Sequence, residues 1–252
     1  MADTRRVVIK NLSKSFDDLV VLDKISLHVE KGENLIVFGR SGTGKSVLLK
    51  CLIGLMKPDE GEIYINDKSI PDLSMSELNK VRKNIGFLFQ GAALYDSMSV
   101  RENLEFPLKR LFNFTQKEID EKVVETLAHV SLEDAIDKAP SELSGGMRKR
   151  AGLARSIITE PELMLYDEPT TGLDPISSKE ISSLILELQK KLKMTSIVVT
   201  HDLTCAQIIA DRVIFLGDGK IRFEGDIESL TKSDDPFLRN FFSHHLINEQ
   251  EN

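Results

Sequence analysis

The chain has no tryptophan, and of its 252 residues only Cys51 and Cys205 are cysteines. Two thiols far apart in sequence, each among apolar neighbours and without metal-ligand spacing, argue against a disulfide framework or a zinc site. They read as buried thiols, which suits a reducing compartment. Long apolar runs are missing too. None approaches the roughly 18–20 residues that cross a bilayer as a helix, and "LIVF" at 35–38 has the length of a buried strand. The opening "MADTRRVVIK" lacks the apolar core and small-residue cleavage site of a secretory signal. Nor is there a basic excess. The formal net charge is −7, which argues against a broad nucleic-acid footprint, and no nucleic-acid partner is expected. Cations cluster only locally, as in "MRKR" at 147–150.

What remains is an ordinary globular composition, 41% hydrophobic and 29% charged. The length suits one large domain or a domain with a sizeable insertion. "RRVVIKNLSKSF" and "LVVLDKISLHVEKGE" predict two strands, the second closed by a Lys-Gly turn. "NLIVFG" predicts a buried strand and "KSVLLKCLIGLM" a helix stopped by Pro58. "GEIYIND" alternates as an antiparallel edge strand does, "SMSELNKVRKN" opens on a serine cap with a glutamate three residues later, and "IGFLFQ" reads as another buried strand.

Between about 92 and 155 strand-like runs vanish, and "VRENLEFPLKRL", "TQKEIDEKVVETLAHV" and "GGMRKRAGLARSII" all suit helices. Strands return in "LMLYDEP", "TSIVVTHD" and "RVIFLGDGKIRFEG", with a long helix near 176–193 between the first two. The order predicts an α/β fold in one domain spanning 1–252. Residues 1–91 and 156–235 form a parallel-rich core with an antiparallel β subdomain, 92–155 a helical insertion and 236–252 a tail.

Two stretches carry phosphate chemistry. Gly39-Arg40-Ser41-Gly42-Thr43-Gly44-Lys45-Ser46, followed by Val47, fits G-x-x-x-x-G-K-[ST] between a predicted strand and a predicted helix. Its glycines let successive backbone N–H groups turn toward phosphates, Lys45 reaches the β- and γ-phosphates, and the Ser46 hydroxyl ligates Mg²⁺. "LMLYDEP" places Asp167 and Glu168 at the carboxyl end of a strand, where the ligand crevice of a parallel sheet lies. There Asp167 supports Mg²⁺, and Glu168 aligns or deprotonates a water for in-line attack. A nucleoside triphosphate and Mg²⁺ are the expected ligands.

A second phosphate-reading turn follows. In "SELSGGMRKRAGLARSI", Ser144, Gly145 and Gly146 stand at the mouth of a helix, whose first N–H groups lack partners and suit an anion. That is one such turn too many for a single site. Other residues stay open at this point. Gln90 is either a polar strand end or a site residue. His201 ends "TSIVVTH" at a strand's carboxyl end, whereas His28, His129, His244 and His245 read as structural. Phe16 is either a core residue or an aromatic that stacks on adenine.

Taken in order, Phe16, "GRSGTGKS", Gln90, "LSGGM" at 143–147, "LMLYDE", "TGLD" at 171–174 and His201 resemble an ATP-binding-cassette (ABC) transporter ATPase over nearly the whole chain. The resemblance implies a P-loop NTPase core of the ABC type with Phe16 stacking on adenine. It further implies Glu168 as catalytic base, His201 on the γ-phosphate, and Gln90 with Ser46 and Asp167 at Mg²⁺. It implies a head-to-tail homodimer in which Leu143, Ser144, Gly145, Gly146 and Met147 meet the partner's ATP. Gly172, Leu173 and Asp174 then lie at that interface.

Met147 stands where the family's usual signature has glutamine. With "SGTGKSVLLKCLIGLMKPDEG" and "FLFQGAALYDSMSVRENLEFPL", the chain looks most like the ATPases of Mla/Mce-type lipid transport systems. Ala92 and Tyr95 there replace a glycine and a phenylalanine. This implies an integral membrane permease as partner, an MCE-type lipid-binding protein and a small regulatory subunit. It also implies a peripheral place on the cytoplasmic face of the inner membrane. A solute importer, a lipopolysaccharide exporter and a soluble ABC ATPase acting on ribosomes or DNA are the alternatives. Residues 91–108 are expected to receive the permease, with Phe106, Pro107 and Leu108 either anchors there or core. In the tail, Phe237, Leu238, Phe241, Phe242 and Leu246 share one side of a short helix, which packs on its own domain or docks on the partner.

Overall fold

The structure, a computed structural model, describes residues 5–242. Strands β1 (Arg5–Phe16), β2 (Leu19–Glu30), β4 (Glu60–Ile65) and β5 (Lys68–Ser69) form an antiparallel sheet in the order β2-β1-β4-β5. A six-stranded sheet runs β10-β9-β3-β8-β7-β6, from β3 (Asn34–Phe38), β6 (Ile85–Leu88), β7 (Leu163–Asp167), β8 (Thr195–Thr200), β9 (Arg212–Gly217) and β10 (Lys220–Gly225). Its strands are parallel except for β10, which returns antiparallel on β9.

The parallel strands are apolar at successive positions because both faces are covered. Ile36 and Phe38 of β3 point into one core, with Met164, Tyr166, Val198, Val213 and Phe215. Leu35 and Val37 point into the other, with Leu163, Leu165, Ile197, Val199, Ile214 and Leu216. That second core is closed by α1 (Lys45–Leu52), α2 (Met75–Arg82) and the antiparallel sheet. The first is closed by α3 (Val100–Leu111), α4 (Gln116–His129), α5 (Gly145–Ile157), α6 (Pro175–Leu192) and α7 (Leu203–Ile209), with α8 (Ile227–Thr231) beside β9 and β10. Among the described residues no helix is long and apolar enough to cross a membrane.

The chain writes its helix starts plainly. Ser74, Ser99 and Thr115 each cap a helix, with Glu77, Glu102 and Glu118 closing the reciprocal hydrogen bond. Three expectations need correction. α1 ends at Leu52 rather than running to Pro58, because Gly54 takes φ +64° and its N–H donates back to the Cys51 carbonyl. β4 is not an edge strand, since the two residues of β5 pair along it. β6 stops at Leu88, so Gln90 sits in the turn beyond it.

α5 runs on to Ile157. Both cysteines are buried, and burial pushes the thiol of Cys51 up to about 11 and that of Cys205 to about 12. The tail packs on its own domain as far as it is described. Residues 236–242 are helical, and Phe237, Phe241 and Phe242 ring Phe215 with centroids 5.8, 4.9 and 6.4 Å away. Leu246, His244 and His245 lie outside the described residues.

Candidate functional site

β3 delivers the chain to the loop at 39–44 at the sheet's centre, and α1 leaves from it. Gly44 adopts φ +94°, and a Cβ there would meet Val21 at 2.8 Å. Only glycine fits this exit. The Lys45 ammonium is buried and donates to the carbonyls of Gly39 (2.8 Å) and Arg40 (3.0 Å). It also lies 3.4 Å from Glu168 Oε1. The cation thus holds the loop's own acceptors, where a phosphate oxygen would be the stronger partner.

From the neighbouring strand ends come the other groups. β7 places Asp167 so that Ser46 Oγ donates to its Oδ1 at 2.9 Å. Glu168 follows at φ +51°, with its N–H held by the Val199 carbonyl at 2.9 Å. Its Oε2 takes the His201 Nδ1 contact at 2.8 Å and the Thr171 hydroxyl at 3.3 Å. Burial pushes the Asp167 carboxyl above its ordinary value, against the Ser46 hydrogen bond. Burial pushes Glu168 up as well, but the His201 hydrogen bond with the His201 and Lys45 charges outweigh it and hold Glu168 below the usual range. The same hydrogen bond lifts His201 above its ordinary value, against partial burial.

These groups share one cleft of about 340 Å³, lined by Val21, Ser41, Gly42, Gly44, Lys45, Ser46, Val47, Gln90, Glu168 and His201. Asp167 joins it through Ser46. A groove of about 780 Å³ between α4, α5 and α6 is larger, but it holds none of the motif residues. Chemistry rather than size picks out the smaller cleft. Phe16 is exposed at the end of β1, outside the cleft lining, with the Lys14 ammonium 5.6 Å from its ring. Arg40 is exposed and lies over the Phe237 ring at 5.2 Å.

The signature turn does not line this cleft. Ser144 caps α5, its Oγ accepting from the Met147 N–H at 3.3 Å, while Leu143 is buried beneath. Gly145 and Gly146 are exposed or half-exposed and lie beside Leu173 and Ser177. Asp174 caps α6 from the same corner, accepting from the N–H groups of Ile176 and Ser177 at 3.0 Å each. The turn at 144–146 and the loop at 172–174 therefore form one exposed surface, separate from the phosphate loop.

Sequence reasoning missed two residues. Val21 lines the cleft from β2, and a valine on a strand gives no signal of its own. Lys149 is buried in α5, donating to the backbone carbonyls of Gln90 and Glu168. Burial pushes its ammonium below the ordinary value, against the attraction of Glu168 and Asp167. Its signal was readable: Lys149 falls three and four residues before Gly152 and Leu153, on the apolar face of α5.

A sequence profile described as "ABC transporter" matches residues 22–171. The methionine import ATP-binding protein MetN of Clostridium tetani is 41% identical over 224 residues, covering 89% of this chain and 70% of that one. The intermembrane phospholipid transport system ATP-binding protein MlaF of Haemophilus influenzae is 42% identical over 229 residues, 91% of this chain and 87% of that one. Among solved structures, the dimeric post-hydrolysis state of the ATP-binding cassette MJ0796 bound to ADP and Pi matches with a TM-score of 0.80 at 33% identity. That match covers 88% of this chain and 98% of that one. The family's ordered motifs, its two-sheet architecture and these relatives agree: the chain belongs to the ABC transporter family, as an ATP-binding cassette ATPase.

Proposed function

We propose that this ATPase energises a membrane permease that moves lipid, in particular phospholipid, and that it works as a head-to-tail homodimer on the cytoplasmic face of the inner membrane. The separation of the two anion-binding turns supports the dimer. The cleft holds a phosphate loop, whereas Ser144 and its glycines face outward with nothing of their own to bind. A second copy supplies the missing half to each site.

Within a site, the N–H groups of 39–46 and the Lys45 ammonium bind the phosphates, and Phe16 offers its exposed ring to the adenine. The hydroxyl of Ser46, the carboxylate of Asp167 and the side-chain oxygen of Gln90 are hard donors that fit Mg²⁺, and Ser46 and Asp167 already touch. Those three would hold the ion, which supplies positive charge to the β- and γ-phosphate oxygens. Glu168, kept ionised by its neighbours, accepts the proton of the attacking water. His201, with its side chain half-exposed beside it, orients Glu168 and contacts the γ-phosphate. ATP favours the closed dimer because it contacts both subunits there, and hydrolysis removes the γ-phosphate contact and reopens it.

The surface on either side of Gln90 supports the permease. Phe89, Tyr95 and Phe106 are all exposed, and the Tyr95 and Phe106 rings lie 5.1 Å apart. Exposed aromatics grouped in this way mark a docking surface. Leu108, by contrast, is buried in the core. The "AALYDSMSVRENLEFPL" stretch is the observation that carries the lipid reading, because it resembles the Mla/Mce-type ATPases, and the overall identity to a phospholipid transport ATP-binding protein supports it. An MCE-type lipid-binding protein and a small regulatory subunit belong to the same reading. MetN, at nearly the same identity, favours a solute importer as the second reading.

Purification of the full chain from membranes with its permease separates the two readings. Bound phospholipid and hydrolysis stimulated by phospholipid nanodiscs are expected. Stimulation by methionine without lipid enrichment overturns the lipid reading. Glu168→Gln is expected to slow hydrolysis at least 100-fold with ATP affinity within threefold, and near-wild-type turnover removes Glu168 from its role.

A further inference from the structure

α5 touches the loop after β6 at every third residue. Lys149 reaches the Gln90 carbonyl, Gly152 lies against Ala92, and the Arg155 guanidinium sits 5.6 Å from the Tyr95 ring centre. The contact at Gly152 is close: a Cβ there would lie 2.7 Å from Ala92 Cβ and 3.1 Å from its carbonyl oxygen. Ala92 and Ala93 both carry positive φ, +61° and +50°. For residues with a Cβ this conformation persists only where surroundings impose it. The Lys149 ammonium also donates to the Glu168 carbonyl at 3.3 Å. One buried cation therefore holds the backbone of two residues from different strand ends, and it stands five residues after Ser144, the cap of α5.

We propose that Lys149 is a positioning residue for ATP hydrolysis, fixing the Gln90 turn and the Glu168 backbone to the signature helix. A lysine suits the task because its ammonium offers three donors at the end of a flexible stem. Without the ammonium the Gln90 carbonyl loses this partner and the Glu168 carbonyl keeps the Thr171 N–H at 3.3 Å, so the tie between the two strand ends is gone and both side chains loosen relative to the phosphates. A displacement of about 1 Å costs on the order of 100-fold at such a site. The link also runs from Ser144, which faces the partner, to the catalytic groups of the subunit's own cleft. The inference rests on Gln90 and Glu168 serving hydrolysis, and it is independent of the cargo.

The test compares steady-state Mg-ATP hydrolysis by the full chain with Lys149→Met, Lys149→Arg and Lys149→Gln, and follows hydrogen exchange at the Ala92 amide. That amide donates to the Phe89 carbonyl at 2.9 Å and reports the turn directly. Lys149→Met is expected to lower kcat at least tenfold with KM within twofold, and to speed Ala92 exchange at least tenfold. At least one donor-keeping variant recovers kcat to within threefold. A Lys149→Met kcat within twofold of wild type overturns the proposal. So does a KM that rises in step with the loss, or failure of both donor-keeping variants to recover.

Gly152→Ala tests the same contact without touching Lys149, by pushing α5 off Ala92. It is expected to give the same split, and unchanged kcat there overturns the proposal even if Lys149→Met does not fold. Glu168→Gln separates the premises. If it is inactive while Lys149→Met is normal, only the positioning role fails. If it remains active, the assignment of Glu168 fails first.

Discussion

At the scale of single residues, the Glu168–His201 pair has a definite pH signature. Their contact at 2.8 Å lowers the carboxyl and raises the imidazole. A raised histidine adds stability that is full below its unfolded value of about 6.5 and lost as pH rises through the folded one. A lowered glutamate adds stability that is full above about 4.3 and lost as pH falls through its folded value. Both are full between those pH values. Thermal unfolding of nucleotide-free protein should therefore show the largest gap between wild type and His201→Ala in that window, narrowing on either side. A gap that grows at alkaline pH contradicts the pairing.

At the scale of elements, the fold was legible where pattern and capping coincide. The serine cap with glutamate at the third position marked α2, helix-suited runs marked α3 and α4, whose caps at Ser99 and Thr115 have the same form, and apolar runs marked β3, β7 and β8. The phosphate loop, Asp167, Glu168 and His201 were legible because parallel strands end at one crevice. What the sequence hid depends on contacts between distant segments. Gly54 rather than Pro58 ends α1, and β5 covers β4 with only two residues. Lys149 was read only as part of a local basic cluster, although its place on the α5 face is apolar.

The same dependence makes Gly86 of β6 a sharp element-scale test. A Cβ there would meet the Met164 sulfur at 2.1 Å and the Ser156 carbonyl at 2.4 Å. The first obstacle is a side chain, but the second is the backbone of α5 and cannot swing aside. Gly86→Ala is expected to cost about 1–3 kcal/mol, a fall in Tm of roughly 2–12 °C for a chain of this size. A melting curve matching wild type removes the claim that α5 is seated against β6.

At the scale of the whole molecule, the proposed shared site makes Ser144 a probe of assembly rather than of binding. Ser144→Arg is expected to leave ATP affinity of the single chain within threefold, because the turn lies outside the cleft. In the Glu168→Gln background, which is expected to hold ATP unhydrolysed, the same change should abolish the ATP-dependent dimer in sedimentation velocity. Loss of ATP affinity in the single chain would sink the shared-site argument. The tail belongs to this scale as well. Phe237, Phe241 and Phe242 close the core over Phe215 and Phe38, so residues 236–242 brace the strand that leads into the phosphate loop.

The central place of β3 has a further consequence for biosynthesis. Its two neighbours in the sheet, β8 and β9, follow it by about 160 to 180 residues. At 5–20 residues per second the ribosome needs roughly 8–35 s to make them. Until then the phosphate loop emerges on a strand with both edges bare. A nascent chain stalled before β8 has the whole G-x-x-x-x-G-K-S sequence and no sheet to hold it. Nucleotide binding is thus an ability this chain gains late in synthesis, and the half-made protein is an object for chaperones rather than a weak enzyme.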